Sequence, residues 1–152
     1  MPTIEIPGLG PVSFRHVLFD MNGTLARDGV LLPDAVELLE KVSVHYHCLV
    51  LTGDTFGTAG RLRDVLPCDL QIVVRGADKA TIARSLDGGV AAIGNGRNDV
   101  PMFEASALAI AILGPEGLAR DALLAAHIVV PDMAAAVGLL LEPRRTVGTL
   151  RP

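Results

Sequence analysis

Four polar groups in this sequence stand where short apolar runs end or where a helix-like stretch begins. Asp20 ends the first run, Thr52 ends the second, and the segment Gly-Asn-Gly-Arg-Asn-Asp at 94–99 ends the fourth. Lys79 begins a helix-like stretch between them. The carboxyl ends of parallel strands meet at one edge of a sheet. We therefore expect these groups to lie together, although 79 positions separate Asp20 from Asp99.

This set of side chains is suited to phosphoryl transfer. A carboxylate at a strand end, here Asp20, can attack phosphorus and form an aspartyl phosphate. The Thr52 hydroxyl and the backbone amides of glycine-rich turns can hold phosphate oxygens, and Lys79 can neutralise their charge. Asp99 can help Asp20 to hold Mg²⁺, which prefers oxygen ligands. Each group alone is more often a turn or a solvent-exposed residue, so the prediction rests on all four in this order.

The elements that must position these groups alternate between apolar strands and helix-like stretches. We predict six buried strands at 16–20, 48–51, 70–74, 90–93, 108–113 and 128–130. We predict helices from about residue 33 and at 58–66, 79–86, 100–106, 117–125 and 132–141. This rhythm indicates an α/β fold with a doubly wound, mainly parallel sheet that is covered on both faces.

The first residues follow a different pattern. Residues 3–6 alternate between polar and apolar, Pro-Gly-Leu-Gly-Pro at 7–11 indicates a turn, and 12–14 can form a returning strand. We therefore predict an N-terminal β-hairpin at the edge of the sheet. The sequence shows no internal repeat or linker, so we expect residues 1–152 to form a single domain.

Composition and charge exclude several classes of protein. Half of the 152 residues are hydrophobic and 20% are charged, which excludes a disordered chain. The longest apolar runs are far shorter than the ~20 residues that a membrane-spanning helix needs. A net charge of −4 gives no indication of nucleic-acid binding. Cys48 and Cys68 lack the spacing of a zinc site or a disulfide framework. No signal peptide is visible, so we expect a cytoplasmic protein.

The motifs together resemble those of the haloacid dehalogenase-like (HAD-like) superfamily of aspartyl-phosphate phosphohydrolases. The segment Asp-Met-Asn-Gly-Thr-Leu at 20–25 resembles the first motif, Thr52 the second, Lys79 the third and 94–99 the fourth. The resemblance extends over essentially the whole chain. It is closest to a small subgroup described as soluble P-type-ATPase-like proteins, which Thr-Ile-Glu-Ile-Pro-Gly at 3–8 and the tail from Glu142 also resemble.

The resemblance implies a role for each matching position and Mg²⁺ as the cofactor. The implied catalytic residues are Asp20, Asn22, Thr52 and Lys79. The implied phosphate-binding residues are Asn22, Gly23, Thr52, Gly53 and Lys79. The implied metal ligands are Asp20, Asn22, Asn95 and Asp99.

Two positions depart from the phosphatase pattern. Most phosphatases of this superfamily carry a second Asp two residues after the nucleophile as general acid and base, where this chain has Asn22. They usually carry an Asp after the first Gly of the fourth motif as a direct metal ligand, where this chain has Asn95. An amide cannot shuttle a proton, and loss of general acid–base help typically costs ~10²–10⁴ in rate. Asn95 offers only a neutral oxygen, so we expect weaker Mg²⁺ binding.

These departures leave two functions open. The first is a Mg²⁺-dependent phosphohydrolase or phosphotransferase that forms an aspartyl phosphate on Asp20 and acts poorly on ordinary phosphomonoesters. The alternative is a catalytically degenerate HAD-like domain that binds phosphate or a protein partner in a regulatory role. The four retained polar groups favour the first function, and the two asparagines favour the second.

The spacing of the motifs predicts a protein without a cap domain. Asp20 and Thr52 are 32 positions apart, and Thr52 and Lys79 are 27 apart. A helix and a strand use most of each interval, which leaves no room for an inserted cap or a nucleotide-binding insertion. Capless proteins that resemble this one assemble into oligomers or act on large substrates. We therefore expect a small phosphorylated substrate or a phosphoprotein, a homo-oligomer, and neither nucleic acid nor membrane as a partner.

Overall fold

A six-stranded parallel sheet forms the centre of the molecule in a computed structural model that describes residues 3–152. The strands are, in chain order, β1 (Thr3–Ile6), β2 (Gly10–Ser13), β3 (His16–Asp20), β4 (Ala26–Arg27), β5 (Val30–Leu31), β6 (His47–Thr52), β7 (Asp69–Ile72), β8 (Val90–Gly94), β9 (Leu108–Ile112) and β10 (Ile128–Val130). The helices are α1 (Ala35–Ser43), α2 (Ala59–Leu62), α3 (Gly76–Ser85), α4 (Val100–Glu104), α5 (Arg120–Ala125), α6 (Met133–Leu141) and α7 (Pro143–Leu150). A 3₁₀ turn, Arg97–Asp99, precedes α4. Within residues 3–152, every helix is too short to cross a membrane.

The order of strands confirms the predicted doubly wound sheet. The six central strands run parallel in the order β10-β9-β8-β3-β6-β7. Strand β3 pairs with β6 on one side and with β8 on the other, so that Phe19 lies beside both Val50 and Ile93. The chain therefore winds outwards from β3 first in one direction and then in the other. The carboxyl ends of β3, β6 and β8 meet where the direction reverses.

The two faces of the sheet bury side chains of different size. On β9, Leu108, Ile110 and Ile112 lie in the core under α1 and α6. Ala109 and Ala111 of the same strand lie in the core under α3, α4 and α5. Successive side chains on a strand point to opposite faces, so one strand supplies both cores. On the face with the alanines, α4 and α5 contact β9, and α3 packs beside α4.

The N-terminal hairpin forms as predicted, but its predicted place at the edge of the sheet is wrong. Strands β1 and β2 pair only with each other in a separate two-stranded antiparallel sheet. Ile4 and Ile6 point into the core of the α1–α6 face, against which Val147 and Leu150 of α7 also pack. Burial of the two isoleucines under α7 therefore holds the hairpin, rather than backbone pairing with the large sheet. Residues 1 and 2, which belong to the predicted domain, lie outside the described residues.

Several element boundaries differ from those the sequence predicts. Helix α3 begins at Gly76, three residues before the predicted start at Lys79, because Asp78 accepts a hydrogen bond from the Arg75 N–H and so caps the helix. The tail from Glu142 forms helix α7, in which the buried Thr146 donates a hydrogen bond to the Leu139 carbonyl. The short hairpin β4–β5 was not predicted from the sequence. The predicted helices at 58–66 and 117–125 shorten to α2 and α5.

We predict that the N-terminal hairpin contributes to the stability of the whole fold. Ile6 is 1% exposed, so Ile6→Ala removes buried apolar atoms and should lower the free energy of unfolding by roughly 2–5 kcal/mol. Leu9 lies in the turn of the same hairpin and is 56% exposed, so Leu9→Ala should change it by less than about 0.5 kcal/mol. Urea unfolding of both variants measures the difference. If Ile6→Ala changed the free energy of unfolding as little as Leu9→Ala, the hairpin would unfold separately from the sheet.

Candidate active site

The predicted residues converge at the carboxyl edge of the sheet. Asp20 is the last residue of β3, Thr52 is the last residue of the neighbouring β6, and Gly94 is the last residue of β8 on the other side. Ligands bind in doubly wound sheets at such a point, where the order of the strands reverses. The structure therefore brings together polar groups that lie far apart in the sequence.

Lys79 joins the two carboxylates of the site. Its ammonium Nζ donates to Asp20 Oδ1 at 2.9 Å and to Asp99 Oδ1 at 2.7 Å. All three residues are buried, with exposures of 1% for Lys79, 7% for Asp20 and 0% for Asp99. Hydrogen bonds between ionised groups are short and strong, and burial limits the screening that solvent would give. The trio therefore forms a fixed electrostatic unit at the end of β3.

Burial and neighbouring charges act in opposite directions on the pKa values of Asp20 and Lys79. The pKa of Asp20 is raised from 3.8 to about 7, mainly by burial and then by the Asp99 carboxylate, while Lys79 acts in the other direction. For Lys79, burial alone would lower the pKa, but the two carboxylates together raise it above its ordinary value. The lysine therefore remains a cation, and Asp20 of the metal-free protein exchanges a proton near neutral pH.

Asp99 holds the loop of residues 94–99 at the end of β8, here called the fourth loop, as well as the lysine. Its Oδ2 accepts hydrogen bonds from the backbone N–H groups of Asn95 at 3.0 Å and Gly96 at 2.9 Å. Gly94 passes so close to Asp99 that an added Cβ would lie 2.6 Å from the carboxyl carbon. Only a glycine at position 94 leaves space for this buried carboxylate. The packing of Asp99 thus explains the glycine at position 94, whereas an added Cβ on Gly96 would meet Asn98 Oδ1 at 2.7 Å.

A second close approach places Lys79. A Cβ on Gly76, the first residue of α3, would lie 2.6 Å from the backbone oxygen of Asn98. The absence of a side chain lets the start of α3 contact the fourth loop, and Lys79 follows one turn later on the helix. Sequence reasoning missed Gly76. A glycine three residues before the lysine, at the start of the helix, was the signal that could have identified it.

The first loop, residues 21–25 between β3 and β4, closes tightly after Asp20. The carbonyl of Met21 accepts hydrogen bonds from the N–H groups of Thr24, Leu25 and Ala26 at 2.8–3.2 Å. Gly23 adopts φ +81°, a left-handed conformation that favours glycine, and an added Cβ would overlap the Asn95 side chain. The first and fourth loops are therefore packed directly against each other.

The Gly23 amide is not available for phosphate. It donates a hydrogen bond to the Ala26 carbonyl at 2.7 Å. The predicted contribution of Gly23 as a phosphate-binding amide is therefore not retained, because the loop needs this hydrogen bond to close. A glycine is needed at position 23 for a different reason: the backbone there is left-handed, and a side chain would overlap Asn95.

The two asparagines that replace the expected carboxylates have different environments. Asn22 Oδ1 is buried and has no hydrogen-bond partner among residues 3–152. Asn95 donates through Nδ2 to the Gly117 carbonyl at 2.9 Å, and its Oδ1 accepts from the Thr24 hydroxyl at 3.5 Å. Thr24 is 1% exposed and was missed by the sequence analysis. Asn95 thus ties the fourth loop to two others, whereas the Asn22 oxygen faces no protein donor.

Thr52 presents a hydroxyl to the same edge. The hydroxyl oxygen accepts the Asp54 N–H at 3.0 Å, which leaves its hydrogen available to a ligand. Asp54 in turn accepts the Ala59 N–H at 2.9 Å at the start of α2. Gly53 follows directly and is exposed. Thr52 is 1% exposed, so its orientation is determined by the protein rather than by solvent.

The oxygen atoms of the site fit a weakly held divalent cation. The orphaned Asn22 Oδ1 is a neutral oxygen donor that lacks a partner, as a metal ligand would. Only Oδ1 of Asp20 is used by Lys79, whereas both oxygens of Asp99 already accept hydrogen bonds. Within residues 3–152, three or more His, Cys, Asp or Glu side chains do not cluster in a way that could hold a metal. Oxygen ligands of low total charge suit Mg²⁺ bound with several waters.

Comparison with known structures identifies the fold. No protein-family model matches the chain. A haloacid dehalogenase-like family hydrolase of Streptococcus pneumoniae superposes with a TM-score of 0.66 and 15% identity, over 84% of this chain and 98% of that one. The chain has the HAD-like fold. The cobalt-bound deoxy-D-mannose-octulosonate 8-phosphate phosphatase of Haemophilus influenzae is similar, with a TM-score of 0.67 and 14% identity over 91% of this chain and 94% of the phosphatase.

Part of a zinc-transporting PIB-type ATPase in its E2P state has a similar fold. It superposes with a TM-score of 0.66 and 22% identity over 78% of this chain. The match covers 20% of the ATPase, so this chain spans about a fifth of that protein's length. Among known sequences, an uncharacterized protein of Methanocaldococcus jannaschii is 39% identical over 62 residues, which are 41% of this chain and 67% of the relative.

We predict that the metal-free protein loses stability as the pH rises from about 4 to about 7. In the unfolded chain Asp20 releases its proton near its ordinary pKa of roughly 3.9. In the folded HAD-like domain it keeps the proton until about pH 7. The folded state therefore binds more protons in this window, and its stability falls as the pH rises. Urea unfolding at a series of pH values in the presence of a chelator measures this loss.

Asp20→Asn isolates the titration of this carboxyl group. The amide carries no charge at any pH, so the stability of wild type relative to Asp20→Asn should fall across the window and stay constant above it. Asp64→Asn changes an exposed carboxylate and should keep the pH dependence of wild type. Parallel curves for wild type and Asp20→Asn would contradict the raised pKa of Asp20.

Proposed function

We propose that this protein is a divalent-metal-dependent phosphohydrolase or phosphotransferase that uses Asp20 as its nucleophile. The observation that carries the proposal is the buried Lys79 ammonium, which donates to the carboxylates of both Asp20 and Asp99. This arrangement presents a nucleophilic oxygen and a fixed positive charge at the same strand end. The similarity to a phosphatase and to a P-type ATPase supports this choice among the functions of the fold.

Asp20 would attack the phosphorus atom through its second oxygen. Lys79 occupies Oδ1, so Oδ2 is the oxygen left to form the new bond to phosphorus while the leaving group departs with its electron pair. The Lys79 ammonium stabilises the ionised form of Asp20 and then faces the negative charge of the aspartyl phosphate. Asp99 keeps the ammonium in place and touches no substrate in this scheme.

Thr52 would hold a phosphate oxygen. Its hydroxyl oxygen already accepts the Asp54 N–H, so the hydroxyl hydrogen is directed to a ligand. Gly53 adds an exposed backbone position next to it. Fixed donors at the transferring group lower the barrier because they need no reorganisation during the reaction.

Mg²⁺ is the cation that we propose for the site, with Asp20, Asn22, Asn95 and Asp99 as its ligands. Oδ1 of Asp20 and Oδ1 of Asp99 each accept a single hydrogen bond, from Lys79, so each keeps a second lone pair that would bind the ion. When bound, the ion supplies positive charge to the transferring phosphoryl group. The orphaned Asn22 Oδ1 supports a ligand role for that residue. Because two of the four ligands are neutral amides, we expect weaker binding than at a site with four carboxylates.

The absence of a carboxyl group at position 22 constrains the substrate. An alkyl phosphate needs a proton delivered to its leaving oxygen, which an amide cannot supply. The leaving group of an acyl phosphate is a carboxylate, and that of a phosphoanhydride is a phosphate. Both are weak bases and need no such proton. We therefore propose acyl phosphates or phosphoanhydrides, on a small molecule or on a protein, as the substrate class.

A second function is supported by the same two asparagines. A domain that binds phosphate or a phosphorylated protein without turnover would still need Thr52 and Lys79. It would not need a carboxyl group at position 22 or 95, where this chain has asparagines. Beryllium fluoride with Mg²⁺ distinguishes the two functions. A stable adduct on Asp20 supports phosphoryl transfer, whereas no adduct together with inertness toward acyl phosphates supports the binding role.

We predict that acetyl phosphate is hydrolysed in the presence of Mg²⁺ and that Asp20→Asn abolishes the reaction. The amide of the variant cannot form the covalent bond to phosphorus, so the rate should fall by at least ~10³, comparable with the loss of other essential groups. The measurement is phosphate release under saturating substrate. Asp64→Asn is the isosteric control at an exposed position and should retain the wild-type rate. A fully active Asp20→Asn variant would contradict the assignment of the nucleophile.

We predict that Asn22→Asp raises activity toward alkyl phosphates such as glycerol phosphate. A carboxyl group at this position restores proton delivery, so the rate should rise by ~10² or more, while acetyl phosphate turnover should change little. The ratio of the two rates is the measurement, because it does not depend on the active fraction of each preparation. Asn98→Asp places a carboxylate on the neighbouring fourth loop and should leave the ratio unchanged. If the ratio stays constant in Asn22→Asp, the missing acid does not limit this protein.

A further inference from the structure

The two cysteines of the chain meet at the beginning of neighbouring strands, although they are 20 positions apart in the sequence. Cys48 is the second residue of β6, and Cys68 comes directly before β7 begins at Asp69. Leu49 and Asp69, the residues that follow the two cysteines, are register partners in the parallel pairing of these strands. Neighbouring strands are about 4.8 Å apart. Each cysteine is therefore bonded to one member of a close pair.

Contacts place both thiols on the same face of the sheet. Val50 and Leu70 are also register partners, and both belong to the core of the α1–α6 face. Cys48 and Cys68, two positions before them, pack against this same core. Cys68 lies in the bend that leads into β7, and it keeps the side that Leu70 has. Leu49, the residue after Cys48, packs against the core of the opposite face.

Both cysteines are free and half-buried. Burial and then the charge of Cys68 raise the pKa of Cys48 to about 12, and the influence of one thiol on the other agrees with a short distance between them. Burial and then the Asp69 carboxylate raise the pKa of Cys68 to about 11. Cys48 Sγ donates to the Tyr46 carbonyl at 3.8 Å. A thiol is a weak donor, so little is lost when its hydrogen leaves.

We propose that Cys48 and Cys68 are a modification site, at which a disulfide joins β6 to β7 when the protein meets a low-molecular-weight disulfide oxidant such as oxidised glutathione. A disulfide joins residues whose Cα atoms are about 4.4–6.8 Å apart, and the spacing of neighbouring strands falls in this range. In a reducing compartment both groups stay thiols. The site lies at the amino edge of the sheet, because Cys48 is near the start of β6 and Thr52 is at its end.

The disulfide forms in two exchange steps. The Cys68 thiolate, which has the lower pKa of the two, attacks one sulfur of the oxidant, and one glutathione thiolate leaves with the electron pair of the S–S bond. The Cys48 thiolate then attacks Sγ of Cys68 in the mixed disulfide and releases the second glutathione thiolate. The cysteines lose two protons and two electrons, and the oxidant is reduced to two thiols. Because only the thiolate attacks, the reaction is slow at neutral pH and accelerates about tenfold per pH unit.

The cross-link secures the outermost strand of the sheet. Strand β7 is at the end of the strand order and bonds to β6 on one side. A disulfide closes residues 49–67 into a loop, which lowers the conformational entropy of the unfolded chain. The oxidised protein should therefore unfold at a higher urea concentration. Thr52 is four residues further along β6, about 13 Å away, so the candidate active site should be unaffected. This inference is independent of the proposed phosphoryl transfer, and the two can fail separately.

Incubation of the folded protein with oxidised glutathione at about pH 8.5 tests the pair. Wild type should lose both free thiols in a thiol titration, and the mass of the chain should fall by about 2 Da, because two hydrogen atoms leave. The urea midpoint should rise, and dithiothreitol should reverse all three changes. Cys48→Ser should instead gain one glutathione, on Cys68, and its urea midpoint should not rise on oxidation.

A variant with one thiol moved to the other face is the matched control. Cys48→Ser combined with Leu49→Cys keeps two cysteines, but Leu49 faces the opposite core, so the folded variant should form no internal disulfide. Circular dichroism verifies that it is folded, and Cys48→Ser alone serves as the control if it is not. Wild type that keeps both thiols, takes up two glutathiones or links two chains would overturn the proposal. An internal disulfide that forms equally fast in the folded control would also overturn it, because the exchange would then not depend on the shared face.

Discussion

A lysine buried between two carboxylates is the interaction on which the site of this protein depends. Lys79 donates to Asp20 and Asp99, and all three residues are almost inaccessible to solvent. Removing one partner of a buried ion pair leaves an uncompensated charge, which typically costs about 3–5 kcal/mol. The strand end that carries Asp20, the helix that carries Lys79 and the loop that carries Asp99 must therefore be placed together. Two glycines, at positions 76 and 94, provide the necessary space.

The same interaction connects the site to the layered fold. Lys79 reaches the carboxyl edge of the sheet because α3 packs against α4 and against the loop that carries Asp99, where Gly76 meets the Asn98 backbone. The opposite face presents larger aliphatic side chains under α1 and α6. When large and small side chains alternate along a strand, the large ones lie on one face of the sheet and the small ones on the other. The face with the alanines of β9 is the one that α4 and α5 cover, and α3 packs beside α4.

The net charge of the site favours a divalent cation first and, once the cation is bound, a phosphate. Two carboxylates and one ammonium sum to one negative charge, which attracts a divalent cation. Once the cation is bound, the sum is one positive charge, which suits a phosphate dianion. The two asparagines make this balance less negative before metal binding than four carboxylates would. They also remove the proton donor, so the same substitutions affect both metal affinity and the choice of leaving group.

The sequence alone determined the six central strands and the residues at their ends. Continuous apolar runs followed by Asp20, Thr52 and the fourth loop predict a parallel sheet with one functional edge, because a strand's burial and its end are local properties. It could not place the N-terminal hairpin under α7 or start α3 at Gly76, since both depend on contacts between distant segments.

Tertiary structure decided the remaining features. Asp99 was predicted as a metal ligand, and the structure shows both its oxygens engaged with Lys79 and with backbone N–H groups. The Gly23 amide was assigned to phosphate, and the structure shows it closing its own loop. Residue type fixes what a side chain can donate or accept. Which partner satisfies it depends on what the fold brings within 3 Å, and that distance is set by packing between elements that are far apart in the chain.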